Sequence, residues 1–148
     1  MGTNMREQPS LTDFLKSSPL EMLPATFQLT VLVADDEAIV RTVLSSMLRR
    51  LGCTVLLASD GAEAVRLYST YYTEIGLVIF DLMLPDMTGE QLYDQLKRVK
   101  PDLRAMLVTG YGESSLLADL SLDGLGSVLP KPFDFRELQT AMDHTLAA

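Results

Sequence analysis

Four short apolar runs in this chain each end in a residue able to do chemistry. VLVA is followed by Asp35-Asp36-Glu37, LVIF by Asp81, AMLV by Thr109-Gly110, and SVLP by Lys131-Pro132. If the runs are strands that finish at one rim, the rim holds a carboxylate cluster, a hydroxyl and an ammonium. Two carboxylates about 4 Å apart repel by roughly 4 kcal/mol at an effective dielectric near 20, so such a cluster takes up protons or holds a cation. The ligand set of Asp35, Asp36 and Asp81 is all hard oxygen, with no His or Cys beside it, which favours Mg2+ or Mn2+ over zinc. With Thr109 and Lys131 beside it, the cluster suits an aspartate that accepts a phosphoryl group while metal and ammonium neutralise the charge. Taken singly, Asp35, Asp36 and Asp81 read equally well as helix caps or turn residues, and Thr109 and Lys131 as surface residues. The convergence carries the chemical reading.

The elements that must position these residues follow from hydrophobic period. Short β-branched or aliphatic runs alternate with longer amphipathic stretches from Thr30 onward, the pattern of βα units around a parallel sheet. Strands are expected at Thr30–Ala34, Thr54–Ala58, Gly76–Phe80, Ala105–Thr109 and Ser127–Leu129, all apolar enough to be buried on both faces. Helices are expected at Ala38–Leu51, with Ile39, Val43, Met47 and Leu51 facing the sheet and Gly52 as the stop, and at 61–72, 89–99 and Phe135–Leu146. A weaker one is expected at 113–122. The fold class is therefore α/β, a doubly wound (βα)5 sandwich of flavodoxin type with five parallel strands in the order 2-1-3-4-5. Its crevice lies at the carboxyl ends of the strands, where strands one and three adjoin.

Residues 1–28 carry Pro9, Pro19 and Pro24 without sustained periodicity, and read as an N-terminal extension or linker ahead of a domain spanning 29–148. Ser10 to Lys16 is compatible with a short docking helix or with no fixed structure. The chain has 148 residues and one cysteine, Cys53, so an internal disulfide is excluded and a reducing, cytoplasmic setting is expected. Twelve basic against 20 acidic residues give a net charge of −8, which opposes direct contact with nucleic acid. No apolar run approaches a membrane span.

Four segments, VLVADDE, VIFDLMLPDMTG, LVTG and PKPF, taken in that order, resemble the receiver domain of two-component response regulators. The resemblance covers about residues 29–148, and TGYGE with the KPF ending resembles receivers of hybrid sensor histidine kinases in particular. It implies that Asp81 is the phosphoacceptor, attacking the phosphoryl group of a phosphohistidine on a sensor histidine kinase or phosphotransfer protein. Metal would be held by Asp36 directly, by Asp35 through water, by Asp81 and by the backbone carbonyl of Met83. Thr109 would bond a phosphoryl oxygen and Lys131 would pair with the phosphoryl group or Asp81. The resemblance further implies a cis bond before Pro132, a monomer or weak homodimer, and a protein that is no enzyme beyond its own phosphorylation and dephosphorylation. The chain shows no helix-turn-helix or ATPase motif before it stops at Ala148, so output is expected through a downstream protein contact.

Two positions depart from the commoner pattern. Val128 stands where the family usually has Tyr or Phe, which removes the ring that normally moves inward with Thr109. Met83 and Tyr111 stand where the family adjusts acyl-phosphate hydrolysis, and a thioether orients an attacking water poorly, so slow autodephosphorylation is expected. Among rivals, an aspartyl phosphohydrolase lacks its general acid in Asp81-Leu82-Met83. A flavin carrier would have its phosphate repelled by Asp35-Asp36-Glu37. A receiver fold that binds partners without phosphorylation is the alternative that Val128 keeps open.

Overall fold

A computed structural model describes residues 28–110, 113, 117, 120 and 122–147. In chain order these form β1 (Thr30–Ala34), α1 (Ala38–Arg50), β2 (Thr54–Ala58), α2 (Gly61–Tyr71), β3 (Ile75–Asp81), α3 (Gly89–Val99), β4 (Ala105–Thr109), β5 (Ser127–Pro130) and α4 (Phe135–Ala147). The strands make one parallel sheet in the order β2-β1-β3-β4-β5, as the sequence leads one to expect. Most of the expected helix at 113–122, the Ser10–Lys16 stretch, Tyr111 and nearly all of the N-terminal extension lie outside the described residues.

Period-two alternation sorts the central strands onto two cores. Leu32, Val78, Phe80 and Leu107 face one way and pack with Ala64 and Tyr68 of α2 and Leu92 and Leu96 of α3. Val31, Val33, Leu77, Ile79, Met106 and Val108 face the other way, onto Leu44 and Leu48 of α1 and Leu138 and Met142 of α4. Burial of both faces holds for β4, every residue of which is buried, and for β1 after the half-buried Thr30. It fails for β2 and β5, whose residues are largely half-buried or exposed. These are the sheet edges, where helices cover the strand from fewer sides.

The stripe expected on α1 is also corrected. Ile39 is 78% and Val43 40% exposed, and the sheet-facing set is Leu44, Ser45 and Leu48 with Val40, Met47 and Leu51. A strict four-residue repeat drifts about 40° per step around a 3.6-residue helix, so a run begun at Ile39 meets the sheet only near its end. The stop is as read: Gly52 takes φ 94°, with its N–H on the Arg49 carbonyl (3.0 Å) and the Cys53 N–H on the Leu48 carbonyl (3.0 Å), a Schellman ending. Cys53 is buried, and burial pushes its thiol up to about 11, so it behaves as an inert filler.

Candidate phosphoacceptor and metal site

Strand register brings the four chemical residues to one rim. β1 pairs with β3 at Ala34↔Phe80, so Asp35 and Asp81 are the next residues out on adjacent strands. β3 pairs with β4 at Asp81↔Val108, which sets Thr109 one step further, and β4 pairs with β5 at Thr109↔Pro130, one residue before Lys131. The Lys131 N–H donates to the Thr109 carbonyl at 2.7 Å, and the Leu82 N–H to the Val108 carbonyl at 3.2 Å, continuing the sheet into the site. The Lys131–Pro132 bond is cis, as the resemblance implies.

Asp35, Asp81 and Thr109 are buried, whereas Asp36 is exposed. One carboxylate oxygen from each of Asp35, Asp36 and Asp81 lies within 4.8 Å of the others. The Lys131 ammonium stands 3.2 Å from Asp35 Oδ2, 3.2 Å from Asp81 Oδ2 and 2.9 Å from Glu37 Oε1. One cation thus faces several carboxylates, and the excess negative charge appears in the titration. Burial first, then the neighbouring Asp35 charge, pushes Asp81 up to about 6, against the pull of Lys131. For Lys131, burial works against the charged form, but the Glu37 hydrogen bond and the Asp81 and Asp35 charges outweigh it and raise its pKa.

The capping explanation of the acidic pair fails. Asp35 Oδ1 accepts the Glu37 N–H at 2.8 Å in a local turn, the N-cap of α1 is Glu37, and that cap is made by no side chain. Among the described residues two buried carboxylate oxygens are left over: Asp81 Oδ1 has no hydrogen-bond partner, and Asp35 Oδ2 has only the ion pair to Lys131. Buried polar atoms are ordinarily satisfied. Unspent oxygens in a hard, all-carboxylate cluster fit Mg2+ or Mn2+ well.

Three groups outside the expected ligand and phosphoryl-contact set also reach the rim. Glu37 pairs with Lys131 across the fold, Arg41 Nη1 donates to the Asp35 carbonyl at 2.6 Å, and the Gly110 N–H donates to Glu113 Oε1 at 2.6 Å. Glu37 carried a signal in its place beside the Asp pair; Arg41 and Glu113 read as ordinary helix residues. Met83 is 47% exposed and bridges Thr88 in the loop after β3, while Val128 is 41% exposed on the edge strand β5.

The family profile described as the response regulator receiver domain matches residues 31–143. The chain belongs to the response regulator receiver domain family. Among curated relatives, this receiver is 33% identical over 117 residues to the sensor kinase CckA of Brucella abortus, an overlap of 79% of this chain and 12% of that one. It is 35% identical over 118 residues to the DNA-binding transcriptional regulator NtrC of a Bradyrhizobium species, covering 80% of this chain and 24% of the relative. The receiver therefore spans a quarter or less of the length of these relatives. Among solved structures, a response regulator receiver domain protein from Clostridium thermocellum superposes with a TM-score of 0.73 at 26% identity, over 80% of this chain and 94% of that one. Among the described residues no helix is long and apolar enough to cross a membrane.

Proposed function

We propose that this receiver takes a phosphoryl group onto Asp81 in a divalent-metal-dependent reaction, from a phosphohistidine on a sensor histidine kinase or phosphotransfer protein. The observation that carries the reading is the buried Asp81 carboxylate, with one oxygen on Lys131 at 3.2 Å and the other without a hydrogen-bond partner among the described residues. With a pKa of about 6, Asp81 is mainly carboxylate at pH 7 yet less stabilised than an exposed one, which favours its use as a nucleophile.

In the transfer, an Asp81 oxygen forms a bond to phosphorus as the N–P bond of the donor breaks, the imidazole nitrogen keeping the electron pair. Lys131, already drawn in by three carboxylates, pairs with the charge that arrives on the phosphoryl oxygens. The Thr109 hydroxyl, at the end of the adjacent strand, donates to one of those oxygens. Asp35, Asp36, Asp81 and the Met83 carbonyl would hold Mg2+ or Mn2+, which when bound supplies further neutralisation of the phosphoryl charge. Asp36, the exposed member of the cluster, faces solvent and is suited to receive the ion.

The receiver is read as working in the cytoplasm, as a monomer or weak homodimer, and as passing its state to a downstream protein by contact, with residues 1–28 as an extension or linker. The test is intact-mass spectrometry of the 148-residue chain with Mg2+ and a small-molecule phosphodonor, followed over time for wild type and Asp81→Asn. One phosphoryl group is expected on wild type alone. No addition to wild type, even with a competent histidine kinase, would overturn the reading in favour of a phosphorylation-independent binding module.

A further inference from the structure

The loop that leaves Asp81 is closed on itself and then fastened to a helix by one side chain. Within it, Met83 bridges Thr88, the Leu84 N–H donates to the Met87 carbonyl at 3.0 Å, and the Gly89 N–H donates to the Leu82 carbonyl at 2.6 Å. At its tip, Asp86 Oδ1 accepts the Gly61 N–H at 2.8 Å and Asp86 Oδ2 the Ala62 N–H at 2.9 Å. These are the first two amides of α2. That helix is otherwise capped from its own chain, by Asp60 Oδ1 on the Glu63 N–H at 2.8 Å. The Met87 side chain lies directly against Gly61, where a β-carbon would collide with it. Both Asp86 hydrogen bonds are charge-assisted and end at a helix N-terminus, which suits a carboxylate. They hold the Asp86 carboxyl below the usual carboxylate range.

Asp60 satisfies only the third amide of α2, so Asp86 takes the first two from 25 and 24 residues along the chain, and the same two bonds act back on the loop. Fixing Asp86 to α2 fixes the bridged turn 83–88, and with it the peptide between Met83 and Leu84 relative to the carboxylates on β1 and β3. We propose that Asp86 is a positioning residue for the cation site, setting through this clamp where the Met83 carbonyl stands; the inference rests on the metal-dependent reading of Asp81. Groups that orient metal ligands without touching the ion commonly alter affinity by about ten- to a hundredfold.

Titration calorimetry with Mg2+ on the full chain, alongside thermal melts, tests this in wild type, Asp86→Ala, Asp86→Asn and Asp60→Ala. Asp86→Ala is expected to weaken Mg2+ binding about tenfold, the lower end of that range. Asp86→Asn, whose amide retains only one acceptor oxygen, is expected to fall between Asp86→Ala and wild type. Asp60→Ala removes a cap from the same helix without touching the loop, so it should lower the melting temperature and leave Mg2+ affinity within about twofold. Unchanged Mg2+ affinity in Asp86→Ala overturns the positioning role alone. So does an equal loss in Asp60→Ala, which would make helix stability the cause. Absence of Mg2+ binding by wild type overturns the metal reading, and the positioning role with it.

Discussion

At the scale of single residues, Asp81 holds the clearest energetic signature. Its pKa of about 6 lies above the ordinary 3.8, so the folded state keeps the proton over a range in which the unfolded state has released it. Folding stability from this group therefore decreases as pH rises from about 4 to 6, and by pH 7 the cost of the buried charge is fully present, up to about 3 kcal/mol. In metal-free protein held with a chelator, Asp81→Asn is expected to raise stability at pH 7 by roughly 1–2 kcal/mol, with the gain vanishing near pH 4. Urea unfolding at the two pH values checks this, and an Asp81→Asn protein less stable than wild type at pH 7 would contradict it. Met83 bears on the other end of the cycle. Its thioether offers no strong hydrogen bond to an attacking water, so Met83→Asn is expected to speed hydrolysis of the aspartyl phosphate. Phosphoprotein decay followed by mass spectrometry measures that rate, and a marked fall in Met83→Asn would sink the expectation.

At the scale of elements, the site depends on how tightly the loop after β3 folds back. Gly89 opens α3 so close to the end of β3 that a β-carbon there would lie 2.7 Å from the Asp81 carbonyl oxygen and 3.1 Å from the Leu82 Cα. Both are backbone atoms that cannot swing aside, so Gly89→Ala must displace the strand end that carries Asp81. A loss of about 1–3 kcal/mol in stability is expected, together with slower phosphorylation. A matched change at Thr88 separates the two effects. Thr88 and Gln91 form a capping box on α3, with bonds of 3.1 and 3.0 Å, and Thr88→Ala should cost about 1 kcal/mol while displacing no backbone. Equal phosphorylation defects in the two variants would mean that α3 stability, and not the position of Asp81, is what Gly89 protects.

At the scale of the whole molecule, cation binding should read out as global stability. A ligand that binds only the folded chain adds about 2.7 kcal/mol at a concentration one hundred times its Kd. Mg2+ at that level is expected to raise the melting temperature of wild type and to leave Asp36→Ala unmoved. Equal shifts in both proteins would place the binding elsewhere. The fold was largely legible beforehand because its strands are short apolar runs punctuated by turn residues, and because residues such as Leu32 and Val33 alternate between two cores that both need filling. The acidic pair, Asp81, Thr109 and Lys131 were legible because each directly follows or ends such a run. What sequence alone determined is thus the order and type of elements and the strand ends where chemistry collects, both of them properties of local pattern. Tertiary structure decided the rest. Which face of α1 meets the sheet, how exposed the edge strands are, that Glu37 shares Lys131 with Asp35 and Asp81, and that Asp86 clamps α2 all depend on register and distance between remote segments. Burial of charge and the pairing of partners many residues apart are set by packing in three dimensions, and no local period encodes them.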